Sequence, residues 1–420
     1  MPRQALVTGL GFITPIGNDR AAVTRSLRDG RHGLERVEFL HNPEIAVKVV
    51  GTVKDFVAAS PNWRDWRYPA HFKIPREALR GLSPHGLFAL CAVEQALADA
   101  GLTANQLGDG ATGLFCASAG STMMAYHHVS RLMQSKGERC SPLGVVSSIA
   151  GTLNFNLAAL YGIRGAVGGF VAACASSSHA LGSALDEIRL GRQQRMLVVG
   201  AEEATAESIL PFAAMRALST NPDPATASRP FDAERDGFVG AGGAVALILE
   251  EADFARQRGA PVYAELAGWG QAADGFNIAI SHPEGAGLVE AIRRALRDTG
   301  LDASAIDYVN AHATSTPAGD RSEAAALQQV FTATGAKPRI SSTKGLTGHP
   351  LSMAGVMEAA FCALMLKDGF TPGNAHLVTP DDACAGLNLP RTTWTGRPGH
   401  ILSTSSGFGG SSVALILQPA

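Results

Sequence analysis

The sequence lacks the features that mark several broad classes of protein. Its formal net charge of only -2 provides no basic field that would attract nucleic acid or an anionic membrane surface. No window reaches the roughly 18 uninterrupted apolar residues of a membrane span. The six cysteines include no CxxC pair, so we expect no disulfide framework in a chain of 420 residues. The first residues, MPRQALVTGLGFITPIG, show neither the apolar run nor the cleavage site of a signal peptide, and we expect a cytoplasmic protein.

Common catalytic signatures are missing as well. The chain has no P-loop, no HExxH zinc motif and no GxSxG nucleophile elbow, which argues against a P-loop NTPase, a zinc metalloprotease and an α/β-hydrolase. Glycines occur at positions 9, 11 and 17, but Thr14 interrupts the dinucleotide-binding fingerprint that they would otherwise resemble. We therefore expect no redox cofactor.

The residues that are present predict a large α/β protein. Hydrophobic residues make up 46% of the chain, which is enough to bury an extensive core. Short β-rich runs such as RMLVVGAEEA alternate with helical patterns such as LVEAIRRALRDTG. This alternation favours sheets that are substantially parallel.

Three pairs of segments resemble one another in the same order along the chain. GAGGAVALIL at 240–249 matches GFGGSSVALIL at 407–417. VAACASSSHALGSALDEIRLG and LTGHPLSMAGVMEAAFCALMLKDG each place a small-residue turn before an apolar-faced helix, and LVTGLGFITPIG has a weak counterpart in AELAGWGQAADG. Chance similarity of glycine-rich strand ends could produce such pairs, but their shared order favours a duplicated half-chain. We place the two halves at residues 1–255 and 256–420.

Cys174 stands among alanines and serines just before a predicted helix. Apolar residues such as Leu181, Leu185 and Ile188 recur on one helical face, which places the thiol at the N-terminal end of that helix. Unpaired N–H groups and the helix dipole favour an anion there, so the pattern predicts a lowered thiol pKa. A buried structural cysteine is the alternative interpretation at this point.

Two histidines lie beside predicted strands and helices. His312 ends the apolar run IDYVNA and precedes the hydroxyl residues Thr314 and Thr316, which suggests a site at the edge of a sheet. His349 follows the turn KGLTG at the start of a helix, where imidazolium is disfavoured, so we expect a neutral ring that can donate from Nε2. Lys344 lies five residues before His349. Taken alone, each histidine could be structural and the lysine could be a solvated surface residue.

Two further patterns leave alternatives open. The stretch SSGFGGSS at 405–412 could bring backbone N–H groups close to a ligand, although a plain tight turn has the same composition. Cys174, His312 and His349 could in principle hold zinc. No second clustered cysteine or carboxylate ligand accompanies them, so we expect no metal.

Four motifs in this order closely resemble the β-ketoacyl-[acyl carrier protein] synthases of the Cys–His–His kind, which elongate fatty acids. They are ACASS around Cys174, NAHATSTPAGD around His312, SSTKGLTGH ending at His349, and GFGG around Phe408. Residues 217–253 also look like this family, and the likeness covers almost the whole chain. The resemblance implies the thiolase-like fold, an α/β fold with duplicated halves in a five-layer αβαβα arrangement. It also implies a dimer, with acyl tunnels near the subunit interface.

The resemblance implies a role for each matching residue. Cys174 would hold the acyl group as a thioester, and His312 and His349 would stabilise the enolate formed when malonyl-[acyl carrier protein] loses carbon dioxide. Attack of this carbanion on the thioester would extend the chain by two carbons. The backbone N–H groups of Cys174 and Phe408 would form the oxyanion hole, and Phe408 would also act as a gate. No metal or redox cofactor takes part.

Other residues would support these groups. Thr314 and Thr316 would line the malonyl pocket, and Lys344 and Glu323 would form a charge pair that fixes the histidines. Asp320 belongs to the same loop. In these terms the first half of the chain carries the nucleophile, and the second half carries both histidines and the glycine-rich gate loop.

A basic stretch suggests where the acidic carrier protein docks. Residues 64–80 hold five basic and two acidic residues, a local charge of +3. Arg64, Arg67, Lys73 and Arg76 resemble the carrier-docking face of the family, although a charge run is usually a solvated surface. If the carrier docks there, its affinity should weaken with salt.

Departures from the family pattern concern the acyl substrate. The usual HGT is replaced by His312-Ala313-Thr314, and the last loop has smaller hydroxyl residues in place of an aromatic residue and two asparagines. Gly144 stands where the family often has a bulky side chain that blocks the acyl tunnel across the dimer. We interpret these changes as signs of a synthase specialised for a long, rigid or unsaturated chain, such as a polyene of secondary metabolism. An ordinary fatty-acid synthase with drifted loops is the alternative.

Related enzymes of other kinds fit less well. A thiolase would have a second cysteine in the last loop, and an initiating synthase would have Asn in place of His349. The non-catalytic chain-length subunit that pairs with an active synthase loses the cysteine that this chain keeps. The chain could therefore form a homodimer, or it could be the active member of a heterodimer with such a subunit.

Overall fold

In the computed structural model, which describes residues 3–40, 42–138, 140–332 and 334–420, strands and helices alternate along the chain. The strands are β1 (Ala5–Ile13), β2 (Leu34–Arg36), β3 (Val49–Gly51), β4 (Thr112–Ala117), β5 (Val167–Phe170), β6 (Arg195–Glu202), β7 (Gly243–Glu251), β8 (Ala264–Ala273), β9 (Tyr308–Asn310), β10 (Arg339–Ser341), β11 (Phe370–Thr371), β12 (Trp394–Thr395), β13 (Ile401–Gly407) and β14 (Ser411–Gln418). The helices are α1 (Arg20–Asp29), α2 (Arg76–Leu79), α3 (Pro84–Ala100), α4 (Thr122–Gln134), α5 (Gly144–Ser148), α6 (Thr152–Tyr161), α7 (Ser176–Arg189), α8 (Ala206–Ile209), α9 (Ala252–Gln257), α10 (Ala286–Thr299), α11 (Pro317–Thr332), α12 (Lys344–Thr347) and α13 (Ala354–Asp368).

Ten of these strands form one continuous sheet whose two halves repeat the same topology. The first half has the order β5-β4-β6-β7-β1, and the second half has the order β10-β9-β13-β14-β8. In each half the first three strands pair in parallel. The fourth strand pairs antiparallel with the third, and the fifth pairs antiparallel with the fourth. The halves join where β1 pairs with β8 over two residue pairs. A duplicated half-chain predicts such a repetition.

The segments that resemble one another in sequence occupy equivalent places in the two halves. The paired GGAVALIL and GGSSVALIL segments form β7 and β14, and the two helices that follow small-residue turns are α7 and α13. The boundary between residues 255 and 256 falls within α9 and stays a prediction.

The helices form layers between and outside the two halves of the sheet. α7 and α13 make the middle layer, and their side chains share one core with strands of both halves. α13 is buried from Ala354 to Leu366, as its nearly continuous apolar sequence favours. α3 and α6 cover the outer face of the first half, and α10 and α11 cover that of the second. This is the expected αβαβα order. No helix in the described part of the chain combines the length and apolar composition that a membrane crossing requires.

Close approach of β1 to α3 depends on a glycine. A Cβ atom at Gly11 would lie 1.9 Å from the carbonyl oxygen of Ala92 in α3, so any larger residue must push the strand and the helix apart. β1 also joins the two halves, which makes this contact important for the whole sheet.

We expect Gly11→Ala to lower the free energy of unfolding by about 3 kcal/mol, because the added methyl group overpacks a backbone contact. Gly30→Ala is the matched control. Gly30 ends α1 at φ +67° with open space where a Cβ would stand, so only about 1 kcal/mol should be lost to the left-handed backbone. Urea unfolding at one fixed protein concentration measures both losses. Equal losses would contradict the steric explanation.

Candidate active site

Cys174 lies on a strained turn between β5 and α7. Ala173, the preceding residue, has φ +49°, a left-handed conformation that residues other than glycine rarely adopt. The Ser176 hydroxyl accepts from the N–H of Ala172 at 2.8 Å and donates to the carbonyl of Ala173 at 2.6 Å. This turn holds the thiol two residues ahead of the first residue of α7.

His349 is fixed through its backbone to the segment that leads into β7. Its N–H donates to the carbonyl of Val239 at 2.7 Å, and its own carbonyl accepts from the N–H of Ala241 at 3.1 Å. Its ring packs edge-on against Phe238, with ring centroids 5.4 Å apart. The Nε2 atom then lies 3.0 Å from the sulfur of Cys174, within hydrogen-bond distance.

Glu323 and Thr404 hold the backbone of His312 at the end of β9. The N–H of His312 donates to a Glu323 carboxylate oxygen at 2.9 Å and to the Thr404 hydroxyl oxygen at 3.0 Å. The N–H of Ala313 donates to the other oxygen of Glu323, and the Thr404 hydroxyl donates to the first. Glu323 therefore anchors the loop that presents the His312 ring.

The three candidate catalytic side chains, Cys174, His312 and His349, converge on one point. One ring nitrogen of each histidine and the sulfur of Cys174 lie within 4.8 Å of one another, and the two rings are nearly perpendicular. A single thioester can contact all three groups. A zinc ion bound tetrahedrally by the Cys174 sulfur and a His349 nitrogen would hold those two atoms about 3.6 Å apart, given ordinary bond lengths. The 3.0 Å separation of the Cys174 sulfur and His349 Nε2 is shorter than this and is a hydrogen-bond distance.

Both imidazoles are neutral at physiological pH. Burial lowers the pKa of His312 and of His349 well below the ordinary value, and the positive charge of Lys344 lowers each pKa further. The neutral state of His349 thus has two causes in the structure, burial and the charge of Lys344. Neutral rings can each provide one N–H donor and one acceptor nitrogen.

The prediction that Lys344 forms a charge pair with Glu323 is wrong. Lys344 is fully buried and forms its ion pair with Glu358 on α13, while Glu323 is occupied by the backbone around His312. Burial raises the pKa of Glu358 to about 7, and the charge of Lys344 opposes that rise. The lysine lies close enough to act on the histidines through its field, but its direct partner comes from the middle helical layer.

The expectation of a lowered thiol pKa at Cys174 is also wrong. Burial raises its pKa to about 12, and the positive charge of Lys344 offsets only part of the rise. The negative charges of Glu202 and Glu358 add to it. The sulfur is therefore a thiol at rest, and neutral His349 is placed to accept its proton when it attacks.

The thiol and both rings open into a cavity of about 540 Å³. The Thr314 and Thr316 hydroxyls line it, with their oxygens 3.0 Å apart, and Phe408 is 39% exposed at its edge. A Cβ at Gly407 would lie 3.2 Å from the backbone nitrogen of Cys174, so the glycine-rich loop approaches the nucleophile closely. The roles of these residues in binding malonyl groups, forming an oxyanion hole and gating stay predictions.

Other predicted residues lie away from the reacting groups. Asp320 forms an ion pair with buried Arg235 and accepts from the N–H of Ser315, which has φ +74°, so it supports the loop between Thr314 and Thr316. Gly144 does not line the cavity at Cys174. A Cβ there would lie 3.1 Å from the ring of His128, so this ring lies directly beside Gly144. The acyl tunnel at Gly144 stays a prediction.

The basic residues predicted for carrier docking are all exposed. Arg64, Arg67, Lys73 and Arg76 form no ion pair within 4.0 Å among the residues that the structure describes. Of these four, Arg64 lines a separate cavity of about 580 Å³.

Two supporting residues escaped the sequence analysis. Glu358 is the only charged residue in the apolar run MAGVMEAAFCALML. A lone carboxylate in such a helix indicates a buried charge with a partner, so the sequence could have revealed this residue. Thr404 carried no comparable signal, because its contact with His312 depends on the pairing of β9 with β13.

Matches to known proteins extend over the whole chain. The family model described as Beta-ketoacyl synthase, N-terminal domain, matches residues 3–255, and the model of the C-terminal domain matches residues 263–378. The chain is 36% identical to 3-oxoacyl-[acyl-carrier-protein] synthase 1 of Escherichia coli (strain K12), over 99% of each protein. It is 32% identical to 3-oxoacyl-[acyl-carrier-protein] synthase 2 of Staphylococcus aureus (strain COL), over 99% of this chain and 98% of that protein.

Solved structures of related proteins share the fold. A beta-ketoacyl synthase from Burkholderia phymatum is similar with a TM-score of 0.90 and 30% identity. The ishigamide ketosynthase/chain length factor is similar with a TM-score of 0.88 and 27% identity. A type II PKS ketosynthase in complex with its acyl-carrier protein, AntDE:AntF, has a TM-score of 0.87 and 27% identity. Each likeness covers 100% of both chains.

We expect the rate of Cys174 alkylation by iodoacetamide to rise about tenfold per pH unit between pH 7 and 10, because the thiolate alone reacts and the raised pKa keeps it scarce. Mass spectrometry follows the reaction in a Cys140→Ser background, which removes a second partly accessible thiol. The additional variant Cys174→Ser supplies the blank. A rate that does not change over this range would reveal a preformed thiolate and contradict the raised pKa.

Proposed function

The chain belongs to the β-ketoacyl synthase family and is a condensing enzyme, a 3-oxoacyl-[acyl-carrier-protein] synthase; from this premise we propose how its own residues carry the reaction. The reaction is the decarboxylative Claisen condensation of malonyl-[acyl carrier protein] with an acyl group held on Cys174. The observation that carries this proposal is the convergence of one buried thiol and two neutral imidazoles on a single cavity.

The first step loads the acyl group. The sulfur of Cys174 attacks the thioester carbonyl of an acyl carrier while Nε2 of His349 takes the thiol proton. The backbone N–H groups of Cys174 and Phe408 stabilise the oxyanion, a contribution worth roughly 3 kcal/mol per donor in other acyl transfers. The bond to the carrier sulfur breaks, and His349 gives the proton to the leaving carrier thiolate.

The second step generates the carbon nucleophile. Malonyl carrier enters, its thioester oxygen accepts from N–H groups of His312 and His349, and loss of carbon dioxide leaves an enolate held by those bonds. Among the described residues neither Nδ1 atom has a hydrogen-bond partner, so each ring can hold its proton on either nitrogen. His349 can therefore accept a proton in loading and donate one here.

The third step forms the carbon–carbon bond. The enolate carbon attacks the acyl carbonyl on Cys174, the bond to Cys174 sulfur breaks, and the product on the carrier is longer by two carbons. The released sulfur takes a proton that comes from solvent, which restores the resting thiol.

We expect the protein to extend an acyl carrier by two carbons when malonyl carrier is supplied, as read from the mass of the carrier-bound product. Cys174→Ala should lose condensation while slow decarboxylation of malonyl carrier continues, because both histidines remain. The further change His312→Ala in that variant should abolish carbon dioxide release. Condensation that survives in Cys174→Ala would refute the assignment of the nucleophile.

The acyl chain is proposed to be long, rigid or unsaturated, such as a polyene. This proposal rests on the altered last loop and on the likeness to a type II PKS ketosynthase at 27% identity. The same assay with acyl carriers of graded length and unsaturation tests it. Faster turnover of saturated medium chains than of conjugated ones would refute the polyene proposal and favour ordinary fatty-acid elongation.

The free edge of the sheet supports the proposed dimer. β5 is the outermost strand of the first half, and Val167 on it, Val171 after it and Phe155 on α6 are 44%, 71% and 46% exposed. An exposed apolar edge strand invites pairing with another chain. A second copy or a homologous chain-length subunit would cover this edge, and native mass measurement with and without the candidate subunit distinguishes the two.

A basic cavity extends the predicted carrier-docking face. Arg64 and Arg80 lie on one wall, Arg131, His127 and His128 of α4 lie on the other, and no carboxylate is among its lining residues. Such a cavity suits acidic side chains of a carrier protein. The proposed docking face is thus centred on Arg64 and Arg131, with Arg67, Lys73 and Arg76 at its edge.

We expect Arg64→Glu and Arg131→Glu each to raise KM for the carrier substrate about tenfold with little change in kcat, because charge reversal weakens encounter more than chemistry. The effect should shrink as salt rises. The control is Arg293→Glu, an exposed residue of α10 on the outer face of the other half. Equal effects at Arg293 and Arg131 would exclude a localised docking face.

A further inference from the structure

The turn that follows His349 is held by a carboxylate from the other half of the fold. Ser352 lies three residues after His349, in the 3-10 turn Leu351–Met353, and its hydroxyl donates to the side chain of Glu202 at the end of β6. The same oxygen of Glu202 accepts from the N–H of Ala119, just after β4, at 3.0 Å. Glu202 and Ser352 are 2% and 4% exposed, so water does not compete for this contact.

The backbone between His349 and Ser352 is strained. Leu351 has φ +45°, a left-handed conformation that leucine avoids, and it also lines the catalytic cavity. Such a conformation persists only where surrounding contacts impose it. The hydrogen bond from Ser352 to Glu202 is a buried polar contact of this turn that can impose it.

The ring of His349 depends on that turn for its position. Its Nδ1 atom has no hydrogen-bond partner among the described residues, so no second-side contact orients the ring as it would in many catalytic histidines. The backbone on one side is tied to Val239 and Ala241. The backbone on the other side leads through Leu351 to Ser352.

We propose that Glu202 is a positioning residue that anchors the Leu351 turn through Ser352 and thereby sets the distance between His349 Nε2 and the sulfur of Cys174. This inference deepens the proposed function and rests on it for the role of His349. The contact crosses the molecule, because Glu202 belongs to the first half and Ser352 to the second.

The adjacent residue Glu203 supplies a matched comparison. It accepts from the hydroxyl of Ser121 at 2.6 Å, from the N–H of Met123 at 3.1 Å and from the hydroxyl of Thr205 at 3.5 Å, and it also contacts His85. Ser121 is 1% exposed. A serine-to-alanine change there removes the same kind of buried bond without touching the turn after His349.

The experiment compares Ser352→Ala with Ser121→Ala in the full-length protein. We expect Ser352→Ala to lower kcat about tenfold or more with little change in KM, because small displacements of a reacting group are costly. It should also slow alkylation of Cys174 by iodoacetamide, since a displaced His349 ring no longer donates a hydrogen bond from Nε2 that stabilises the reactive thiolate. Ser352→Thr keeps the hydroxyl and should keep both rates. Ser121→Ala should leave both rates near those of the unchanged protein.

A double-mutant cycle tests whether Glu202 acts through Ser352. The double variant Glu202→Ala/Ser352→Ala should be alkylated no more slowly than the single variant Ser352→Ala, because the two substitutions remove the same interaction. If Glu202→Ala fails to fold, Glu202→Gln replaces it. The side-chain amide oxygen of Glu202→Gln can still accept from Ser352, so this variant alone should be alkylated at the rate of the unchanged protein. Equal rates in Ser352→Ala and Ser121→Ala, or fully additive losses, would overturn the proposal.

Alkylation separates this inference from the proposed function. It needs no acyl or carrier substrate, so a slowed rate in Ser352→Ala supports the positioning role even if condensation is absent. Absence of condensation in the unchanged protein, with every carrier substrate, would count against the proposed function alone.

Discussion

The 3.0 Å contact between Cys174 and His349 is the interaction on which the rest of the site depends. The two residues come from different halves of a duplicated sheet and lie just ahead of the equivalent helices α7 and α13. Packing of those helices in the middle layer brings their preceding turns together. The fold thus meets a requirement of acyl transfer, which is to hold a nucleophile and its proton acceptor at fixed separation.

Burial determines the charge state of this site. It keeps both imidazoles neutral and the thiol protonated, and the positive charge of Lys344, which is paired with buried Glu358, lowers the pKa of both histidines further. Neutral donors can stabilise a developing enolate without holding the product as an ion pair would. The same burial makes the supporting hydrogen bonds at Glu323 and Glu202 valuable, because an unmade bond would be costly there.

Most of the fold and the reacting set could be predicted from the chain, and the failures have physical causes. Repeated segments in one order predicted the duplication because each forms an equivalent strand or helix. Short motifs identified Cys174, His312 and His349 because their local turns carry recognisable glycines and small residues. The pKa of the Cys174 thiol could not be predicted from the sequence, because it depends on desolvation by packing between the layers. The partner of Lys344 could not be predicted either, because the same packing decides between Glu323 and Glu358.

The repeated topology has a consequence for how such a protein tolerates change. The two similar halves supply unlike groups, a thiol from one and two imidazoles from the other, so the cavity that all three line exists only where the halves meet. A substitution that moves one half against the other would displace Cys174 from His312 and His349 even where the turns that carry them stay intact.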